Sequence, residues 1–151
     1  MLISSLGGHL EQLLSLKDII EKYDVHIVTE KNSSTSKLHH KYSNISFIPY
    51  VSRKNFLFFI FTYVKIIFHS IKLLLKENPK IIVSTGSGCA LPMCFLGKIM
   101  RKKIIFIETF SRINSKTLTG KLCYRFADVF VIQWEELKIL YPKAVYLGSI
   151  Y

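Results

Sequence analysis

The chain has 151 residues, of which 50% are hydrophobic and 13% aromatic, with a formal charge of +11. That length holds one core rather than two. The composition excludes a disordered, collagen-like or low-complexity chain, and the charge suits an anionic partner, a merely soluble basic face being the alternative.

Met1 runs straight into Leu2–Ser5, which reads as a short first strand with no basic segment or cleavage site ahead of it, so no secretory leader is expected. His9–Tyr23 has helical spacing of Leu10, Leu13, Leu14, Ile19 and Ile20. Val25–Thr29 predicts a second strand, Lys31–Ser36 a polar loop, and Ile45–Ile48 a third strand closed by Pro49. A long helix is expected over Asn55–Glu77, stopped by Asn78-Pro79. Lys80–Ser84 predicts a strand, Gly86-Ser87-Gly88 a tight turn, and a helix runs on to about Met100. Then follow a strand at Lys103–Ile107, a loop over 108–116, a helix to about Phe126, a strand at Val129–Ile132, a short helix at Glu135–Tyr141 and a last strand at Ala144–Leu147. Wholly apolar strands alternating with helices imply a parallel sheet covered on both faces. The expected fold is therefore one α/β domain over 1–151 with a doubly wound, mostly parallel, Rossmann-like sheet. Cys89, Cys94 and Cys123 form no C-x-x-C, so neither a disulfide framework nor a metal site is expected.

Residues 50–125 hold fourteen of the 21 Lys and Arg but only two of the ten Asp and Glu. Within that block, residues 56–75 are long enough to span a bilayer. Thr62, Lys65, His69, Lys72 and Lys76 recur every three or four residues and form one polar stripe on a helix. The remaining surface is too broad for one side of a sheet to cover. A membrane-facing amphipathic helix over 55–77 is expected, with Phe58 and Phe61 meeting lipid and Lys65 and Lys72 meeting anionic headgroups. A buried core helix is the plain alternative. A transmembrane span is disfavoured by its central lysines.

Three loops carry candidate chemistry. Ser4-Ser5-Leu6-Gly7-Gly8-His9 follows the first strand and opens a helix, where glycines let backbone amides approach an anion. It lacks the third glycine of a dinucleotide fingerprint. His9 there is placed to take a hydroxyl proton. Ser84-Thr85-Gly86-Ser87-Gly88 repeats the strand-to-helix arrangement without the Lys of a P-loop. Ile107-Glu108-Thr109-Phe110-Ser111-Arg112 puts an acid at a strand end and a phosphate-matching guanidinium four residues on. Tight structural turns and an internal Glu108–Arg112 pair are the alternatives.

The segments SSLGGHLEQLL, STGSGCALP, IETFSR, SKTLTGKLCYRFAD, VIQWEELKILYPKA and YLGSIY together resemble the asparagine-linked-glycosylation protein fourteen family, in its bacterial capsule and exopolysaccharide branch. The resemblance covers roughly 4–16 and 80–151. It implies the amino-terminal, acceptor-side half of a GT-B glycosyltransferase. The implied function is the membrane-recruiting subunit of a two-component enzyme that moves a sugar from a UDP-sugar to a lipid-diphosphate-linked saccharide. The implied location is the cytoplasmic face of the cell membrane. No cofactor is expected on this chain, the UDP-sugar being held by a donor-binding partner in a heterodimer, without which the chain is expected to be inactive. By position, Ser5, Gly7, Gly8, Gly86, Ser87, Gly88 and Arg112 match the acceptor and phosphate loops, with His9 and Glu108 the catalytic candidates. Residues 144–151 end apolar and aromatic, and Tyr146, Gly148, Ile150 and Tyr151 are expected to dock the partner. The runner-up is a basic α/β module binding nucleic acid or another polyanion. It is disfavoured because the aromatics gather in one apolar helix rather than among the basic residues.

Overall fold

Runs such as Lys103–Ile107 are apolar on both faces, and a strand of that kind is stable only when helices pack on each side. The computed structural model describes residues 1–51 and 56–150. In it seven strands pair in parallel: β1 (Leu2–Ser4), β2 (Ile27–Glu30), β3 (Ile45–Ile48), β4 (Ile81–Gly86), β5 (Lys103–Ile107), β6 (Val129–Ile132) and β7 (Val145–Tyr146). Their order is β3-β2-β1-β4-β5-β6-β7, so the winding reverses between β1 and β4. The helices are α1 (Gly8–Leu14), α2 (Lys17–Lys22), α3 (Phe56–Glu77), α4 (Ala90–Ile99) and α5 (Leu118–Cys123).

The strand period of two sorts neighbouring residues onto opposite faces. Ile3, Ile82, Phe106 and Ile132 join the larger core with Met93 and Cys94 of α4. Leu2, Val83, Ile107 and Val131 join a smaller one with Leu10 and Leu13 of α1. Gly97 lets α4 come close to the sheet, since a Cβ there would lie 2.3 Å from Ile82 Cδ1. Pro92 sits in the first turn of α4, where its missing amide costs nothing.

Several expectations are corrected. The single helix over His9–Tyr23 is two short ones. Ser15 turns its hydroxyl onto the Glu11 carbonyl at 2.9 Å, and Leu16 leaves helical geometry at ψ 50°. A 3-10 segment at Ser36–His40 follows the polar loop, and Glu135–Ile139 is 3-10 rather than α-helical. The helix expected to run to Phe126 ends at Cys123. Asn55, the expected start of α3, lies outside the described residues, as do Arg53 and Lys54 of the basic block.

The face that α3 turns inward is Thr62, Ile66, Ser70 and Leu74. Thr62 thus leaves the outward polar stripe, where Lys65, His69, Lys72 and Lys76 remain. Ile66 and Leu74 of that face join the larger core, while the large apolar side chains face out. Phe58 is 55% and Phe61 58% exposed, and Phe56, Leu57, Phe68 and Leu75 are more so. A fully buried core helix is therefore excluded. Among the described residues α3 is the one helix long and apolar enough to cross a membrane. Lys65 Nζ sits 4.4 Å from the Phe61 ring centroid, one turn away, so its charge is held over the apolar surface.

Candidate functional site

In a doubly wound sheet the loops leaving the two strands at the reversal open a crevice. Here those loops follow β1 and β4. The Ser5 amide donates to the Gly86 carbonyl at 2.9 Å, and the Ser5 and Ser87 hydroxyls share a 3.0 Å hydrogen bond. The Ser87 amide donates to Ser5 Oγ at 3.3 Å. The two loops expected to cooperate are thus one bonded unit. Gly7, at φ 74°, makes the turn into α1, and both Gly7 and Gly8 are exposed. Gly86, at φ 95°, lies under His9: a Cβ there would meet the imidazole at 3.2 Å.

His9 is fixed from both ends of one residue. Its Nδ1 lies 2.7 Å from the Thr85 carbonyl, and Thr85 Oγ1 donates back to the His9 carbonyl at 2.7 Å. A carbonyl can only accept, so Nδ1 carries a proton, and in the neutral ring the lone pair is on Nε2. Thr85 is a supporting residue that spacing alone did not single out; its only signal is its place before Gly86-Ser87-Gly88.

Around these loops lies a cleft of about 980 Å³. Ser5, His9, Ser87, Gly88 and Arg112 line it, so the structure brings these five expected residues together. Lys116 and Thr117 of the following loop join them, with an apolar wall of Tyr50, Phe59 and Tyr63. Phe59 and Tyr63 were legible only as bulky members of an apolar stretch, and Tyr50 was not singled out. Glu30 reaches the cleft from β2, but its carboxylate accepts the Leu6 and Val51 amides, both at 3.1 Å. It clamps the first loop in place.

Glu108 does not line the cleft. It is 1% exposed, and its carboxylate accepts from the Thr109 amide at 3.0 Å, Thr117 Oγ1 at 2.8 Å and the Tyr141 hydroxyl at 2.7 Å. Burial, reinforced by that bond to Glu108, pushes the Tyr141 hydroxyl well above the ordinary phenol range. Gly120 leaves room for the carboxylate: a Cβ there would lie 1.9 Å from Oε2. The expected alternative of a Glu108–Arg112 pair is not formed; the Arg112 guanidinium donates to Ser115 Oγ at 3.3 Å and stays exposed. A second buried net links Gln133 Nε2 to Gln12 Oε1 at 3.0 Å and to the Glu108 carbonyl at 2.9 Å.

At the chain's end, Tyr146 lies on the edge strand β7 at 42% exposure, and Gly148 turns at φ 79°. Ile150 folds back: its amide donates to Gln133 Oε1 at 3.1 Å and its side chain packs against the smaller core. It is thus half-buried against its own sheet. Tyr151 lies outside the described residues. No His, Cys, Asp or Glu cluster suited to a metal occurs among the described residues.

A parallel sheet wound both ways, with two glycine loops bonded at its reversal, defines one Rossmann-like half of a GT-B fold. Solved structures agree on the fold. *Acinetobacter baumannii* MurG superposes with a TM-score of 0.72 at 14% identity, over 89% of this chain and 42% of that one. UDP-N-acetylglucosamine 2-epimerase from *Rickettsia bellii* superposes at 0.74 and 14% identity, over 99% and 44%. The chain belongs to the family described as "Oligosaccharide biosynthesis protein Alg14 like", which it matches over residues 2–150, the middle segment included. The rat UDP-N-acetylglucosamine transferase subunit ALG14 is 35% identical over 104 residues, 65% of this chain and 48% of that protein. The *Schizosaccharomyces pombe* subunit of the same name is 36% identical over 77 residues, 48% and 37% of the two chains. The chain thus spans about half the length of the rat relative.

Proposed function

We propose that this chain is the acceptor-binding, membrane-associated subunit of a two-component glycosyltransferase. The pair moves a sugar from a UDP-sugar, held by a donor-binding partner, to a lipid-diphosphate-linked saccharide. The setting is capsular or exopolysaccharide biosynthesis at the cytoplasmic face of the membrane. The relatives' description as transferase subunits supports the division of labour. The observation that carries the reading is the joined Ser5–Ser87 cradle, sharing one cleft with His9 and Arg112 beside the outward apolar face of α3.

In this reading the joined Ser5 and Ser87 hydroxyls and Gly88, all lining the cleft, bind the diphosphate, and Arg112 adds a cationic fork. Lys116 adds a second positive charge on the same side. In the neutral ring, with Nδ1–H donated to the Thr85 carbonyl, His9 Nε2 accepts the proton of the acceptor hydroxyl as that oxygen bonds to the sugar's anomeric carbon and the bond from that carbon to UDP breaks, UDP leaving on the donor-binding partner. Glu108 is a positioning residue. It fixes Thr117 and the start of the 109–117 loop, and so the place of Arg112 and Lys116.

The test is steady-state kinetics of the reconstituted pair. Arg112→Ala is expected to raise the acceptor KM with little change in kcat. His9→Ala is expected to lower kcat by ~10²–10⁴-fold. Unchanged turnover in His9→Ala removes it from the chemistry and leaves it a tie between α1 and β4.

A further inference from the structure

Beside the cleft lies a second cavity of about 570 Å³, enclosed by α3, α4 and the end of α5. Tyr63 and Ile67 form one wall, Leu91 and Phe95 the other, with Leu122 and Phe126 across the end. Its volume is in the ~300–1,000 Å³ range of cavities that hold small apolar ligands. Tyr63 and Leu91 also line the polar cleft, so the two cavities are adjacent across these side chains. At that junction the Tyr63 hydroxyl donates to the Gly88 carbonyl at 3.2 Å, so its one polar group is satisfied and its ring is left to apolar contacts. Beyond the groove, Phe95 and Ile99 are exposed on α4, which packs beside α3 and extends its outward apolar surface. The surface therefore passes from hydroxyls and cationic side chains in the cleft to a groove lined by apolar side chains and Arg125, and on to exposed apolar side chains of α4.

A polar, cationic cleft beside a mainly apolar groove matches an amphiphile with a multiply charged anionic head and a hydrocarbon tail. We infer that the groove between α3, α4 and α5 receives the first units of the hydrocarbon chain of the lipid diphosphate. This inference rests on the acceptor reading above and extends it from the head to the tail. The charge complementarity of the adjoining cleft selects this occupant over a segment of the donor-binding partner or of a second copy. The consequence is that the chain grips its acceptor by tail and head together, and does so without a bilayer.

The test is calorimetric titration of the full chain, free of vesicles and detergent, with geranylgeranyl diphosphate and with inorganic diphosphate. The prenyl compound is expected to bind at least ~10-fold tighter, a gain that about two buried methylenes supply. Phe95→Ser, at an exposed position, and Ile67→Trp, which fills the groove, should each bring its affinity down toward that of inorganic diphosphate. In parallel, a diazirine-bearing prenyl diphosphate is photolysed on the unmodified chain, with labelling expected at Ile67, Phe95 and Phe126. Equal affinity for the two compounds, or label confined to Phe58 and Phe61, overturns the groove and leaves the cradle standing. Binding of neither compound overturns the cradle itself, and the inference falls with it.

Discussion

Glu108 and Tyr141 form a buried pair behind the cleft, with Glu108 bonded to Thr117 of its lining. A buried carboxylate is costly unless hydrogen bonds satisfy it, and here two hydroxyls and an amide do so. Tyr141→Phe removes one donor and leaves that oxygen unpaired in an apolar core. The expected loss is about 1–3 kcal/mol of unfolding free energy, read by urea titration. A loss below ~0.5 kcal/mol would show that the carboxylate finds another partner. His9 was readable from sequence because glycines flank it at a strand end. The role of Glu108 was not readable. An acid beside Arg112 in sequence suggests a pair, but the partners that hold it stand at 117 and 141, and only the return of the chain through β6 brings Tyr141 to it.

At the scale of elements, α3 is the clearest departure from a soluble helix. The periodicity of residues 56–77 showed an amphipathic helix, and the structure adds which face is which. Thr62 and Ser70 lie inside and the phenylalanines lie outside. Sequence could not decide this, because a threonine on a hydroxyl-and-lysine stripe counts as polar until the sheet is present to cover it. The strands were legible to within two residues, since their runs are apolar on both faces. The short helices were less so: hydroxyl back-bonding at Ser15 and 3-10 geometry at Glu135–Ile139 leave little trace in hydrophobic spacing. Exposed apolar area of this extent calls for a covering phase, and lysines beside it contribute ~1 kcal/mol each near anionic headgroups. Phe58→Ser with Phe61→Ser, or Lys65→Glu with Lys72→Glu, should move the folded chain from the vesicle pellet to the supernatant in co-sedimentation with anionic liposomes. If both double variants stay in the pellet, something other than α3 holds the chain there.

For the whole molecule, the sheet leaves β7 as an edge, with Val145, Tyr146 and Leu147 exposed. An exposed apolar edge is a template for pairing with another chain. The tail beyond it is anchored by Ile150 to Gln133, which also bonds Gln12 and the Glu108 carbonyl. The tail therefore connects the edge where a partner would dock to the loops around the cleft. Deletion of Gly148–Tyr151 is expected to abolish capture of the donor-binding subunit in a pull-down while the far-ultraviolet circular dichroism stays that of an α/β domain. Retained capture by the truncated chain would place the interface elsewhere.

In the proposed function, sugar transfer to a lipid diphosphate needs this chain for its acceptor side. The rate of transfer from a labelled UDP-sugar to lipid-diphosphate saccharide in liposomes, with the donor-binding subunit alone, with this chain alone and with both, tests that need. Transfer is expected from the pair and none above background from either component. Equal rates with and without this chain would contradict it.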